Sequence, residues 1–291
     1  MSNLMTSYTR ILSLLHDLEP QDYFLNQRRL PRLTDKELIA LNLAAESLGI
    51  DSERYLFKRL PPQLADQIER SVYNRRKRHL ASKVEQLRQR IAAQVQTQDS
   101  HYIIDSMPLE VCRFSRAKRA QVCQDTPEVS PDYGYCASQK MTFFGYKIHT
   151  VCTATGVFQV FDITQASTHD IHYLDQVKSQ FAHCVLIGDK GYMNRSKQQD
   201  LFETRSIDLE TPKRRNQHDY RPFPPLLRRV RKRIETLYSQ LCDQFMIRRN
   251  YAKSFQGLAT RIVSKITALT MIQWINKLDG NHIHNIKIVP A

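Results

Sequence analysis

Apolar positions in the first hundred residues recur at helical spacing. Leu38, Leu41, Ala45 and Leu48 follow Thr34-Asp-Lys-Glu37, a capping-box pattern that predicts a helix start, and Gly49 is placed to end that helix. A second helix begins within Ile50–Phe57 and is stopped by Pro61-Pro62. Leu80, Val84, Leu87, Ile91 and Val95 then form a stripe on a helix of about five turns. The two helices joined at Gly49 fit either a helix-turn-helix or an ordinary bundle whose basic residues face water.

The pattern changes near residue 98, which divides the chain into an all-helical domain, 1–98, and a second domain, 99–291. Short β-branched and aromatic runs predict strands over 101–112, 141–152 and 156–164, the last two as a hairpin around Gly156. Residues 117–140, interrupted by Pro127, Pro131 and Gly134, read as a loop. Further strands are expected at 184–189 and 206–211, with helices at 170–181 and 194–204. After a polar, proline-interrupted stretch, 212–225, a basic helix spans 226–248. Phe255, Leu258, Ile262, Ile266, Leu269 and Ile272 mark an amphipathic helix. This order describes an α/β domain whose mixed sheet begins antiparallel and ends in parallel crossovers.

Charge adds a partner class. Lys and Arg total 43 against 29 Asp and Glu, for a net charge of +14. Such an excess draws in polyanions and favours nucleic acid, with Arg75, Arg76, Lys77 and Arg78 the densest basic run of the first domain. None of the six cysteines forms a C-x-x-C pair, which leaves a zinc module without support. The absence of an apolar leader or membrane-length run places the expected site of action in the cytoplasm, with no membrane partner.

Three acidic residues carry the candidate chemistry. Asp105 and Asp189 each close a short apolar strand, and Glu235 sits in a helix crowded with Arg and Lys. Carboxylates so placed are costly unless a cation pairs with them, so their convergence points to a divalent-metal site beside a polyanion. Asp105 and Asp189 also fit strand-end turn residues. Glu235 also fits a surface partner of a neighbouring arginine, with Glu203 and Glu210 as replacements.

The motifs Ile103-Ile-Asp-Ser-Met-Pro108, Gly145-Tyr-Lys-Ile-His149, Thr168-His-Asp170, Leu186-Ile-Gly-Asp-Lys-Gly-Tyr192 and Arg231-x-x-x-Glu235 resemble those of bacterial insertion-sequence DDE transposases, closest to the insertion-sequence 982 family. The resemblance covers most of the chain. It implies a ribonuclease H-like, mixed five-stranded sheet flanked by helices and preceded by an all-helical domain. It further implies Asp105, Asp189 and Glu235 as catalytic ligands of two Mg2+ ions, with Mn2+ as substitute. The expected substrate is double-stranded DNA, both terminal inverted repeats and target, held by a homodimer in the paired-end complex. Lys190, Arg228, Arg231 and Lys232 join the basic run as candidate DNA contacts, and Tyr192 and His169 are secondary candidates. Arg228 stands where related families carry Tyr, and Cys242 where they carry Lys. A nuclease without strand transfer and a catalytically silent DNA-binding regulator are the competing readings.

Overall fold

The helical periodicity before residue 96 is realised in α1 (Ser2–Leu18), α2 (Asp35–Ser47), α3 (Glu53–Arg59), α4 (Pro62–Ala65), α5 (Arg70–His79) and α6 (Ala81–Val95). The computed structural model describes residues 2–96, 100–137, 139–214, 216 and 220–286. Thr34 closes the expected capping box on α2: its hydroxyl accepts from Glu37 N–H at 3.1 Å, and Glu37 Oε2 accepts from Thr34 N–H at 2.7 Å. Gly49 ends the helix in the left-handed region, φ +67°, and Ile50 N–H reaches back to the Ala45 carbonyl.

Contacts divide the chain into two compact units. One comprises Met1–Val95, Gln240–Ala252 and Gln256–Ala291, the other Gln96–Ser239 and Lys253–Phe255. The expected junction at residues 98 and 99 lies outside the described residues. The C-terminal helix α10 (Phe255–Leu278), expected in the second domain, belongs instead almost wholly to the unit of the N-terminal helices. It is not amphipathic. Leu258, Ile262, Ile266 and Leu269 are buried, and so are Arg261, Ser264, Lys265, Thr267 and Gln273 on its other sides. Acids of the α2–α3 region cover that polar face: Lys265 Nζ lies 2.7 Å from Glu46, Arg261 pairs with Asp51, and Asn42 donates to Ser264 at 2.8 Å.

The second unit holds a mixed sheet of β1 (His101–Glu110), β2 (Asp132–Cys136), β3 (Met141–Thr153), β4 (Phe158–Gln165), β5 (Cys184–Ile187) and β6 (Ile207–Glu210). Its order is β2-β3-β1-β5-β6, and β4 takes the stretch of β3 edge beyond β2. Strands β1 to β4 pair antiparallel, while β5 and β6 join parallel through α7 (Tyr173–Gln180) and α8 (Arg195–Arg205). This is the ribonuclease H-like arrangement. Gly145 marks the change of partner on β3, where a Cβ would meet the Leu109 carbonyl oxygen at 2.2 Å. Ile104, Val151, Leu174, Val177, Leu186, Leu201 and Ile207 form the core between the sheet and α7–α8. The expected loop 117–140 contains β2, hidden from pattern reading by its five-residue length, by Pro131 before it and by Gly134 inside it.

The basic run of α5 divides by burial. Arg75 and Arg78 are exposed, whereas Arg76 and Lys77 are buried in ion pairs and are not available to DNA. Arg76 Nη2 lies 2.6 Å from Asp35, which is fully buried and also accepts from the Phe24 and Leu25 amides; Lys77 Nζ lies 2.9 Å from Glu53. Removing one partner of such a pair strands a buried charge. Arg76→Ala is therefore expected to lower unfolding stability by roughly 3–5 kcal/mol, and exposed Arg78→Ala by less than about 0.5 kcal/mol. Urea unfolding of both variants checks this ordering.

Candidate active site

The parallel register levels the first two candidate carboxylates. Ile103 pairs with Ile187, the last paired rung between β1 and β5. Two residues beyond that rung stand Asp105, still within β1, and Asp189, in the turn just past the end of β5; the two strands neighbour each other at roughly 4.8 Å. Beyond this rung β5 ends while β1 continues, which is why Pro108 is tolerated in a central strand: no ladder on the β5 side requires its N–H. Open α/β sheets place their sites at such strand ends.

Electrostatics reflects this convergence. Burial, and next the charge on Asp189, push the Asp105 carboxyl up to about 7. Burial likewise raises Asp189, against the N–H bond that its Oδ1 accepts from Gly191 at 2.8 Å. A third acid, Asp170, belongs to the same field and raises both. A Cβ at Gly191 would lie 3.0 Å from Asp189 Oδ1 and 3.6 Å from Asp170 Oδ2, so the glycine keeps the space between these two carboxylates open. Lys147 Nζ binds Asp170 Oδ1 at 3.0 Å and the Thr168 carbonyl at 2.9 Å, which joins the Gly145–His149 motif to the Thr168–Asp170 motif. Asp170 stood in the sequence as the last residue of the Thr168-His-Asp170 motif, at the start of a helix, and was not among the candidate ligands; this contact and its effect on both aspartates bring it into the site.

Helix α9 (Pro225–Asp243) supplies the cationic side. Ile234, Leu237, Tyr238 and Leu241 form its buried stripe, and Arg228, Lys232 and Glu235 stand exposed. Arg231 lowers both Asp105 and Asp189, so its guanidinium serves the aspartate pair. It also lies 3.0 Å from Glu235, one turn later, whose side chain is 51% exposed. The helix is seated by Tyr238, a residue that pattern reading passed over: its hydroxyl donates to the Asp105 carbonyl oxygen at 2.9 Å and lies 2.7 Å from Thr150 Oγ1.

Among the secondary candidates, Lys190 is exposed beside Asp189, and His169 caps the turn Asp170–His172 through Nδ1. Tyr192 is fully buried, and its hydroxyl has no hydrogen-bond partner among the described residues, within the field of Asp105, Asp170 and Asp189. Of the alternative acids, Glu203 accepts from Gln199 on α8, and Glu210 pairs in register with Ile187.

The donor set fits a hard divalent cation at the aspartate pair. Two level carboxylates repel each other, and an orphaned buried hydroxyl adjoins them. Among the described residues no three His, Cys, Asp or Glu side chains are gathered to hold an ion, since Glu235 faces Arg231. An exposed ion pair of this kind is worth about 0–1 kcal/mol, a small barrier to exchange for a metal.

The transposase DDE domain family matches residues 96–271, more than half of the chain. No curated protein and no solved structure matches it. Among the described residues no helix is long and apolar enough to cross a membrane.

His149 lies in the motif beside the site, fully buried, with Nε2 2.8 Å from Thr164 Oγ1 and its ring stacked 5.1 Å from Tyr173. Burial lowers it from 6.5 to about 4, against the opposing pull of Asp170. The folded protein thus binds this proton more weakly than the unfolded chain. The contribution is complete above pH 6.5 and is lost as pH falls towards 4. We expect His149→Gln to flatten the fall in melting temperature across that window; parallel pH profiles for the two proteins would contradict it.

Proposed function

The chain belongs to the transposase DDE domain family, and from that premise we propose that it moves an insertion sequence of the 982 type. In this reading it binds terminal inverted repeats, hydrolyses DNA at the element ends and joins the freed 3′ hydroxyls to target DNA. One observation carries the assignment: the Ile103–Ile187 rung sets Asp105 and Asp189 level, with Arg231 in their field and Glu235 one helical turn away. Family members use divalent metal ions; for this chain we propose two Mg2+, replaceable by Mn2+, held by Asp105, Asp189 and Glu235. When bound, such ions activate the attacking oxygen and stabilise the departing one.

The protein's own groups have separable tasks. Asp105 presents oxygen donors from within β1, and Asp189 presents them from the turn that follows β5. Arg231 is shared between these aspartates and Glu235, and a guanidinium released from the glutamate suits a non-bridging phosphate oxygen. Exposed Lys190, Arg228 and Lys232 extend a positive surface along which the DNA backbone lies. Tyr238 is a positioning residue: it fixes α9 to the strand that carries Asp105. Processing two ends calls for two copies of one site, hence a dimer on paired ends. Helix α10 is buried along most of its length and offers no apolar face for that dimer.

In a magnesium-dependent cleavage assay on element-end DNA, Asp105→Asn, Asp189→Asn and Glu235→Gln should each lower the rate more than about a hundredfold while end binding persists. The mass of the wild-type paired-end complex should read two protomers. Ordinary cutting by Asp105→Asn or Asp189→Asn rejects the site. Ordinary cutting by Glu235→Gln alone moves the third ligand to Glu203 or Glu210. A pre-cleaved end that is never joined to target would favour the nuclease reading.

Sequence-independent DNA contact in the helical unit fits α3 better than the buried half of the α5 run. Arg54, Lys58 and Arg59 are exposed there, and Arg59 lies 4.3 Å over the Tyr55 ring. Converting the three cations to Gln should flatten the salt dependence of binding, by a slope change of about one for each phosphate that is no longer neutralised. Arg75→Gln with Arg78→Gln provides the comparison, and an unaltered slope in the α3 variant places the duplex elsewhere.

A further inference from the structure

The connection between β1 and β3 leaves an aromatic row running out of the core to the surface. Phe144 is 5% exposed; Tyr133 packs on it at 5.0 Å, and Phe114 meets Tyr133 edge-on at 5.9 Å. Along this row exposure rises to 42% at Tyr133 and 51% at Phe114, and Tyr135, two residues along β2, reaches 60%. Alternation on β2 turns both tyrosines to solvent, while Gly134 between them sits against Ala166. Large rings held open on a rigid strand are unusual on a surface that contacts only water.

The same surface is cationic. Phe114 opens the turn Phe114–Arg119, anchored by buried Ala117, and Arg113, Arg116, Lys118 and Arg119 all project from it exposed. None of the four makes an ion pair among the described residues, and of the nearby acids Asp125 and Asp132 are turned to backbone amides. The register gives the distance to the chemistry. Glu110 pairs with Gly145 where β2 begins and Asp105 pairs with Thr150, five strand residues or roughly 17 Å apart. A strand of DNA leaving the aspartate pair crosses that span in a few nucleotides.

We propose that this face binds unpaired DNA: two or three bases stack on Phe114, Tyr133 and Tyr135, and the neighbouring arginines and lysine hold the backbone. Duplex binding uses the cations but not the rings, because paired bases show their faces only to one another. Exposed rings together with charge are therefore the signature of single-stranded binding. The inference rests on DNA being the polyanion in the proposed function, and it adds a site that separates and holds one strand beside the cleavage point.

The test uses the full-length protein in EDTA, so that cutting plays no part, with labelled oligothymidine and a duplex of equal length as probes in fluorescence anisotropy. Phe114→Ala and Tyr135→Ala, both at exposed positions, should each weaken oligothymidine binding about tenfold and leave duplex binding within about twofold. Tyr135→Trp should keep the affinity, and the emission of its new exposed indole should be quenched by oligothymidine. Three results would overturn the proposal: no oligothymidine binding by the wild-type protein, equal losses on single strand and duplex, or alanine variants that turn a dimer into a monomer, which makes the face a contact between copies. Loss of cleavage in the carboxylate variants leaves this measurement untouched, so the two readings fail separately.

Discussion

Two like charges forced level by a hydrogen-bonded register form the constraint around which the second unit is built. With Ile103 opposite Ile187, Asp105 in β1 and Asp189 just past the end of β5 lie close enough for the charge on Asp189 to raise the Asp105 carboxyl. Their repulsion and partial burial are met by elements remote in sequence. Arg231 approaches from α9, Lys147 neutralises Asp170 from β3, and Gly191 leaves open the space where a side chain would have stood. Without a cation the arrangement is electrostatically unfinished. A stability-optimised fold would replace one carboxylate; keeping both is what the proposed metal-binding function requires.

The end of β5 was legible because its apolar run stops just before Asp189, whereas β1 continues through Asp105 to Glu110; the helix starts were legible because caps are local chemistry. Other features depended on partners distant in the chain. The apolar stripe of α10 was visible, but burial of its opposite side depends on Glu46, Asp51 and Asn42, more than two hundred residues away. Asp170 was visible as a motif residue at a helix start, but its place beside Asp105 and Asp189 depends on Lys147, twenty-three residues earlier. Strand β2 escaped notice because its five residues are stabilised by the edge of β3 rather than by their own propensity.

Charge illustrates the same limit. Arg75 to Arg78 form one run in the sequence, yet helical geometry turns the middle two inward to Asp35 and Glu53 and leaves the outer two in water. A count of positive residues therefore overstates the surface that a polyanion meets. The cations that matter for binding are those without an acid of their own, and in this chain they gather on α3, on the exposed side of α9 and on the turn after β1.

The seat of α9 has an evolutionary corollary. Tyr238 grips the main-chain carbonyl of residue 105, not its carboxylate. Every amino acid offers that carbonyl, so the helix keeps its anchorage whatever side chain occupies the position. The side chain at 105 and the anchorage of α9 are thereby uncoupled. Under the proposed function, a single base change at this codon would leave a folded, silent descendant that still occupies element ends. On that reading the fold carries within it a short path from mobile element to repressor.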